Sequence, residues 1–316
     1  MFRTIIPIEP ATEKISYQDQ IMTLGSCFSD HIGSKLQKAY FQVNVNPFGV
    51  LFNPLSIKQN IDFLLEEKIF DENDIFNQGS LWHSFNHSSL YSSITVDKTL
   101  ELINDSQTQA IDALKKTKFL LITFGTAWVY ELKETNQLVA NCHKLPAAQF
   151  NRRRLSVEEI VNAYSQLLPK LIALNPDLRM VFSVSPIRHW KDGAHENNLS
   201  KSILHLAIAE LQQKFSFVDY FPAYEIQLDE LRDYRFFASD MFHPSDLAVD
   251  YIWQRFSESY FDKETMLLMK QLTKFASQMS HKPIHLESVE YAKFKANTEK
   301  EKEKLLATYP FLKNRL

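Results

Sequence analysis

Three side chains in this sequence have the types that acyl-transfer chemistry needs. Ser26 follows a short apolar run, Ile21-Met22-Thr23-Leu24, that stops at Gly25. A glycine at that point lets the backbone turn sharply and holds the next residue at the C-terminal edge of a sheet, beside the first turn of a helix. Far downstream, Asp240-Met241-Phe242-His243-Pro244 brings a carboxylate and an imidazole close in sequence. A serine hydroxyl is a weak nucleophile alone; an imidazole that takes its proton and a carboxylate that fixes the imidazole's tautomer make it competent. The roles would be nucleophile for Ser26, general base for His243 and orienting group for Asp240. Asp240 and His243 converge only in a tight turn, and Pro244 favours irregular backbone there. Each residue also has a plainer role: Ser26 as a helix N-cap, Asp240 as a cap and His243 as a surface side chain. Cys27 is a competing nucleophile, but a cysteine followed by phenylalanine just inside a helix usually points into the core as a small apolar residue.

The oxyanion of acyl transfer needs preorganised donors, most simply the Ser26 N–H with a glycine N–H and a side-chain amide. Asn46-Pro47-Phe48-Gly49, Phe124-Gly125-Thr126-Ala127-Trp128 and Asn141-Cys142-His143-Lys144 all follow apolar runs and offer such groups. Gly49 and Asn141 are the expected partners of Ser26 in the oxyanion hole, and Gly125, Trp128 and His143 are expected at the substrate. Gly49 and Gly125 are also ordinary turn glycines, and Asn141 and His143 also fit a hydrogen-bonded loop. Ser183-Val184-Ser185-Pro186-Ile187-Arg188-His189-Trp190 joins cationic, aromatic and hydroxyl groups, so Arg188 and His189 either grip a substrate anion or sugar or belong to a surface loop.

These residues must be held by something. Short apolar runs at Ile21–Leu24, Val43–Asn46, Phe119–Phe124, Met180–Val184 and Phe217–Tyr220 predict buried strands. Helical spacing is expected over Asp30–Tyr40, Pro54–Glu66, Leu100–Lys116, Ser156–Leu174, Asn197–Phe215 and Ser245–Tyr260, with a capping box at Ser156 and Glu159. That alternation predicts a parallel sheet between two helical layers, whose ligands bind beyond the carboxyl ends of the strands. Beyond Asp262 the chain becomes a charged tail, with Glu299-Lys300-Glu301-Lys302-Glu303-Lys304 alternating sign as a solvated helix does. The expected division is a catalytic domain over 1–261 and a helical extension over 262–316, packed on it or projecting from it.

Composition narrows the classes. With 45% hydrophobic residues over 316 positions, the chain can bury a substantial core. The 35 basic and 38 acidic residues nearly balance, which argues against a nucleic-acid surface. The 2 cysteines, Cys27 and Cys142, form no spaced framework, and a reducing cytoplasm is the expected compartment. The stretch Met1-Phe2-Arg3-Thr4-Ile5-Ile6-Pro7 does not read as a signal peptide, and no apolar run is long enough to span a bilayer. Cys27, Cys142, His143, His189 and His243 lack the close spacing of metal ligands, so neither a metal nor another cofactor is expected.

The motifs together resemble those of the GSCFA family, itself similar to the SGNH or GDSL-like hydrolases. Gly25-Ser26-Cys27-Phe28 matches the tetrad that names the family, and the Asn46, Gly125, Asn141, Ser185 and Asp240 blocks follow in compatible order over roughly residues 20 to 260. The resemblance implies a three-layer, flavodoxin-like α/β/α fold, with Ser26 as nucleophile, His243 as base and Asp240 as its partner. It implies an oxyanion hole made by Ser26, a glycine and an asparagine. The chain departs from the superfamily in two places. Gly25 stands where an aspartate usually precedes the serine, and Gly125 is followed by Thr126, Ala127 and Trp128 instead of the pattern Gly-x-Asn-Asp; Asn141 is the amide that would replace the missing one. The expected reaction is hydrolysis of a small-molecule or glycan acyl ester, the acyl group being removed from a carbohydrate or lipid-like substrate. The alternatives are acyl transfer from the same acyl-serine to another hydroxyl, or ligand binding without catalysis; the oligomeric state is left open.

Overall fold

The computed structural model describes residues 4–280 and 287–316. The first three residues of the N-terminal stretch read for a leader lie outside them, as do six residues of the charged tail. The chain runs β1 (Gln20–Gly25), α1 (Cys27–Lys38), β2 (Gln42–Val45), α2 (Pro54–Leu65), β3 (Phe76–Gln78), β4 (Leu81–His83), α3 (Val96–Lys116), β5 (Thr117–Phe124), β6 (Trp128–Leu132), β7 (Leu138–Val139) and β8 (Phe150–Arg154). It continues through α4 (Val157–Leu174), β9 (Arg179–Val184), α5 (Gly193–Lys214), β10 (Val218–Tyr220), α6 (Ala223–Glu225), α7 (Asp246–Tyr260), α8 (Lys263–Met279) and α9 (Val289–Thr308).

Five strands form one parallel sheet in the order β10-β9-β5-β1-β2. Numbered within the sheet, that is the 2-1-3-4-5 order of a flavodoxin-like fold. Alternation along the central strands explains the layers. Met22, Leu24, Leu120, Ile122 and Phe124 point into one core, shared with Ile57, Leu114, Leu167 and Leu204 from α2, α3, α4 and α5. Their neighbours Ile21, Phe119 and Leu121 point to the other face and pack with Phe28 and Leu36 of α1 and Ile252 and Phe256 of α7. The second core also takes Leu268, Leu272 and Phe275 of α8 and Leu305 of α9, so the C-terminal helices are packed on the sheet domain.

Several boundaries differ from the sequence reading. α1 begins at Cys27, a full turn earlier than the expected Asp30, so Ser26 itself is the N-cap. α3 starts at Val96 behind Thr95, whose hydroxyl accepts from the Lys98 N–H, and α5 starts at Gly193. The capping box at Ser156 and Glu159 and the Ser245 N-cap form as expected. Two small antiparallel sheets, β3-β4 and β7-β6-β8, had no apolar alternation to announce them. β8 reads Phe-Asn-Arg-Arg-Arg, and its arginines are held by carboxylates: Arg153 by Glu131 and Glu159, Arg154 by Glu196 and Arg152 by Asp192. Among the described residues no helix is long and apolar enough to cross a membrane.

Candidate active site

The site begins where β1 ends. Gly25 has φ +136°, and a Cβ there would lie 2.2 Å from the Thr123 carbonyl oxygen on β5, so only glycine lets these strands approach and turn. Its N–H donates to Asn46 Oδ1 at 2.9 Å, and Asn46 Nδ2 donates in turn to the Asp30 carboxylate on α1. The Gly25 carbonyl accepts from Leu51 N–H at 2.8 Å. Asn46 adopts φ +40° to serve this turn. The turn that carries Ser26 is therefore fixed from three sides.

Ser26 is 1% exposed. Although it is the N-cap of α1, its hydroxyl caps nothing and has no hydrogen-bond partner among the described residues. Ser156, Ser245 and Ser288 at the ends of other helices all accept a backbone N–H, so the idle hydroxyl of Ser26 is an exception to the way this chain uses capping serines. The Ser26 N–H donates to Thr123 O at 3.2 Å. Burial raises the Cys27 thiol above its ordinary value, which disfavours the thiolate that a cysteine nucleophile needs.

Asp240 and His243 lie together in the turn ahead of α7. His243 Nδ1 and Asp240 Oδ2 are 2.5 Å apart, while Asp240 Oδ1 accepts the N–H groups of Phe242 at 2.9 Å and His243 at 3.0 Å. These backbone donors, then the imidazole, hold the Asp240 carboxyl down to about 2, so it is ionised at neutral pH. With Nδ1 engaged, Nε2 is the nitrogen left for a substrate or nucleophile. No hydrogen bond joins Ser26 Oγ to His243 in this structure. His31 on α1 senses the charges of Asp30, Asp246 and His243, although burial is the stronger influence and lowers its pKa.

The remaining expected residues divide into two groups. Gly125 and His189 lie on loops tied to Phe52: its carbonyl accepts the N–H groups of Gly125 at 2.7 Å and Thr126 at 3.0 Å, and its ring meets the His189 imidazole edge-on. His189 is held neutral at pH 7, with its pKa lowered to about 4 by burial and then by Lys201. Arg188 stacks on Trp190, and Trp190 stacks at 5.3 Å on Phe242, so the loop after β9 touches the Asp240–His243 turn.

Gly49, Asn141 and His143 gather instead around residues 84–91. The Gly49 N–H is spent on Asn46 O at 2.7 Å, and a Cβ there would fall 1.9 Å from Ser88 Oγ. The His143 ring is bonded to Ser84 O at 2.7 Å and packs on His83, while Asn141 Oδ1 accepts the His143 N–H at 2.9 Å. Trp128 lies on β6 beneath the Arg152 guanidinium, 4.1 Å away.

Lys201 had no signal in the sequence. It sits on α5, 1% exposed, and its Nζ donates to Gly125 O at 2.6 Å and Ser185 O at 2.7 Å. It thereby clamps the loops that leave β5 and β9. Burial, then Arg188, lowers its pKa to about 7; an uncharged amine still has two N–H groups, one for each carbonyl.

The model of the GSCFA family matches residues 20–256. Solved structures similar to the chain include an acetyl xylan esterase, Est2A, from the rumen bacterium Butyrivibrio proteoclasticus, at 10% identity and TM-score 0.38, covering 81% of this chain and 64% of the other. A family 3 carbohydrate esterase from Talaromyces cellulolyticus is similar at 11% identity and TM-score 0.33, covering 80% and 98%. Another from Clostridium thermocellum is similar at 11% identity and TM-score 0.31, covering 80% and 98%. No curated protein is similar enough in sequence to count as a relative.

Proposed function

The chain belongs to the GSCFA family, and from that premise we propose that it is a serine hydrolase acting on acyl esters, with Ser26 as nucleophile. The observation that carries the reading is the buried, unpartnered hydroxyl of Ser26 at a helix start, where capping would otherwise account for a serine. The Asp240–His243 contact supplies the second half of the machinery.

In the proposed course His243 swings its Nε2 onto Ser26 Oγ as substrate enters. Its proton passes to the imidazole as Oγ bonds to the acyl carbon, and the imidazolium, steadied by Asp240, returns that proton to the leaving alcohol. Water repeats the sequence and releases the acid. The oxyanion meets the positive end of α1, whose first-turn N–H groups the Ser26 side chain leaves uncapped. The Ser26 N–H joins them by giving up its 3.2 Å bond to Thr123. Gly49, whose N–H is spent on Asn46 O, contributes no donor to the oxyanion in this reading. A ligand-binding module is the second reading, favoured by one observation: Ser26 and His243 are not hydrogen-bonded.

The test is hydrolysis of p-nitrophenyl acetate and butyrate by the wild type, Ser26→Ala and Cys27→Ala, with intact-mass detection of a fluorophosphonate adduct. Loss of turnover and of the adduct in Ser26→Ala alone is the expected result. Equal rates in all proteins, with no adduct in any, would leave the binding module.

A further inference from the structure

A cleft of about 380 Å³ lies against the Asp240–His243 turn, lined by Arg188, Trp190, Arg232, Tyr234, Met241 and Phe242 among others. Its wall combines exposed apolar surface with guanidinium groups that have donors to spare. Trp190, Tyr234 and Met241 are among the large apolar side chains this protein leaves exposed, at 47%, 76% and 50%. Beside them stand two guanidinium groups without a close carboxylate. Arg188 makes no ion pair within the described residues; one of its amino groups donates to the neutral Asn198 Oδ1 at 3.1 Å, and its buried Nε has no partner. Arg232 has Asp229 only at 3.9 Å, beyond hydrogen-bond length. The one acidic residue in the lining, Asp233, is committed to Arg235 at 2.8 Å.

A planar guanidinium with an unspent donor is matched by a carboxylate or a phosphate, and the stacked Trp190–Phe242 pair is matched by a flat ring. We propose that this cleft holds an anionic group of the substrate on Arg188 and Arg232, so that the ester hydrolysed is that of an acidic, ring-bearing compound. The inference rests on the hydrolase reading above. It places the acidic part of the substrate on the Phe242 side of His243, with the acyl carbon toward Ser26.

The experiment compares kcat/KM for 4-acetoxybenzoate, 4-acetoxyphenyl phosphate and the neutral methyl 4-acetoxybenzoate in the wild type, Arg188→Gln and Arg188→Lys. Intrinsic reactivity of each ester cancels when the anionic-to-neutral ratio is compared between enzymes. A charge-assisted bond in a partly open cleft corresponds to about a tenfold fall in that ratio for Arg188→Gln. Arg188→Lys should retain part of the preference. Which anion shows the larger effect tells carboxylate from phosphate. An unchanged ratio with both anions, in a protein whose thermal melt is intact, overturns the proposal. A parallel titration of Ser26→Ala with benzoate, phenyl phosphate and neutral benzyl alcohol, read by calorimetry, separates the two readings. Anion binding that Arg188→Gln removes, without turnover of any ester by the wild type, leaves the anion site standing and sinks the hydrolase. Turnover with no anion binding does the reverse.

Discussion

Replacing Lys201 by methionine tests how the site loops are held, because it keeps the stem of the side chain and removes the group that clamps them. The variant strips the Gly125 and Ser185 carbonyls of their donor. At about 1.5 to 3 kcal/mol for each bond to a charged partner, the loss is on the order of 3 to 6 kcal/mol. Against it stands the cost of burying the amine, read from the fall of its pKa from 10.5 to about 7. At ~1.4 kcal/mol per unit this is on the order of 5 kcal/mol. The two nearly cancel, so Lys201→Met should lie within about 2 kcal/mol of the wild type at pH 7. Its pH dependence should not cancel. Between about 7 and 10.5 the unfolded chain still binds the Lys201 proton and the folded chain does not, so this residue makes stability rise with pH; below pH 7 both states are protonated and the slope vanishes. Urea unfolding from pH 6 to pH 9 should show the wild type gaining on Lys201→Met by nearly 3 kcal/mol, at ~1.4 kcal/mol for each unit above 7. A difference that stays flat over that range would refute the account of a dehydrated amine shared by two carbonyls.

Ser26→Ala should unfold no more easily than the wild type and gain up to about 1 kcal/mol, since the hydroxyl it deletes is buried without a partner. Ser156→Ala should lose ~1 kcal/mol by thermal melting, because that hydroxyl accepts the Glu159 N–H. Gly25→Ala should cost at least about 3 kcal/mol or fail to fold, given a Cβ 2.2 Å from Thr123 O at φ +136°. Asp240→Asn should lower kcat on a p-nitrophenyl ester by roughly a thousandfold or more while leaving KM near its wild-type value. In the wild type the Asp240 carboxyl should titrate near 2 by carbon NMR; being lowered from 3.8, its contribution to stability is held above that value and lost as pH falls toward 2.

How much of this was legible in the sequence depended on whether a residue's environment was local. The central strands were readable because they are buried on both faces and so appear as nearly continuous apolar runs, Phe119–Phe124 with Thr123 its one polar residue being the clearest. β8 was not, since its stability comes from arginines paired to residues on β6, α4 and α5 and to Asp192. The start of α1 was misplaced for a related reason. Gly25-Ser26 looks like a turn that should last several residues, but the packing of Gly25 on Thr123 compresses it to a single step.

The same distinction runs through the site. Ser26, Asp240 and His243 could be proposed from the sequence because each sits in a short motif, and the contact of Asp240 with His243 is local to one turn. At Gly49 the need for a glycine was legible as a turn, and its cause is a turn pressed against Ser88 and closed by Asn46, whose carbonyl takes up the Gly49 N–H. Lys201 marks the limit. On a helix of mixed charge a lysine reads as a solvated residue, and nothing nearby in the chain says that two carbonyls from distant strand ends converge on it. A buried amine can be inferred only after the parallel sheet is assembled, because the crevice it closes is made by β5 and β9 together. The loops that leave β5 and β9 are thus positioned by a residue whose own signal exists only in three dimensions, and the Lys201→Met pH profile measures that dependence directly.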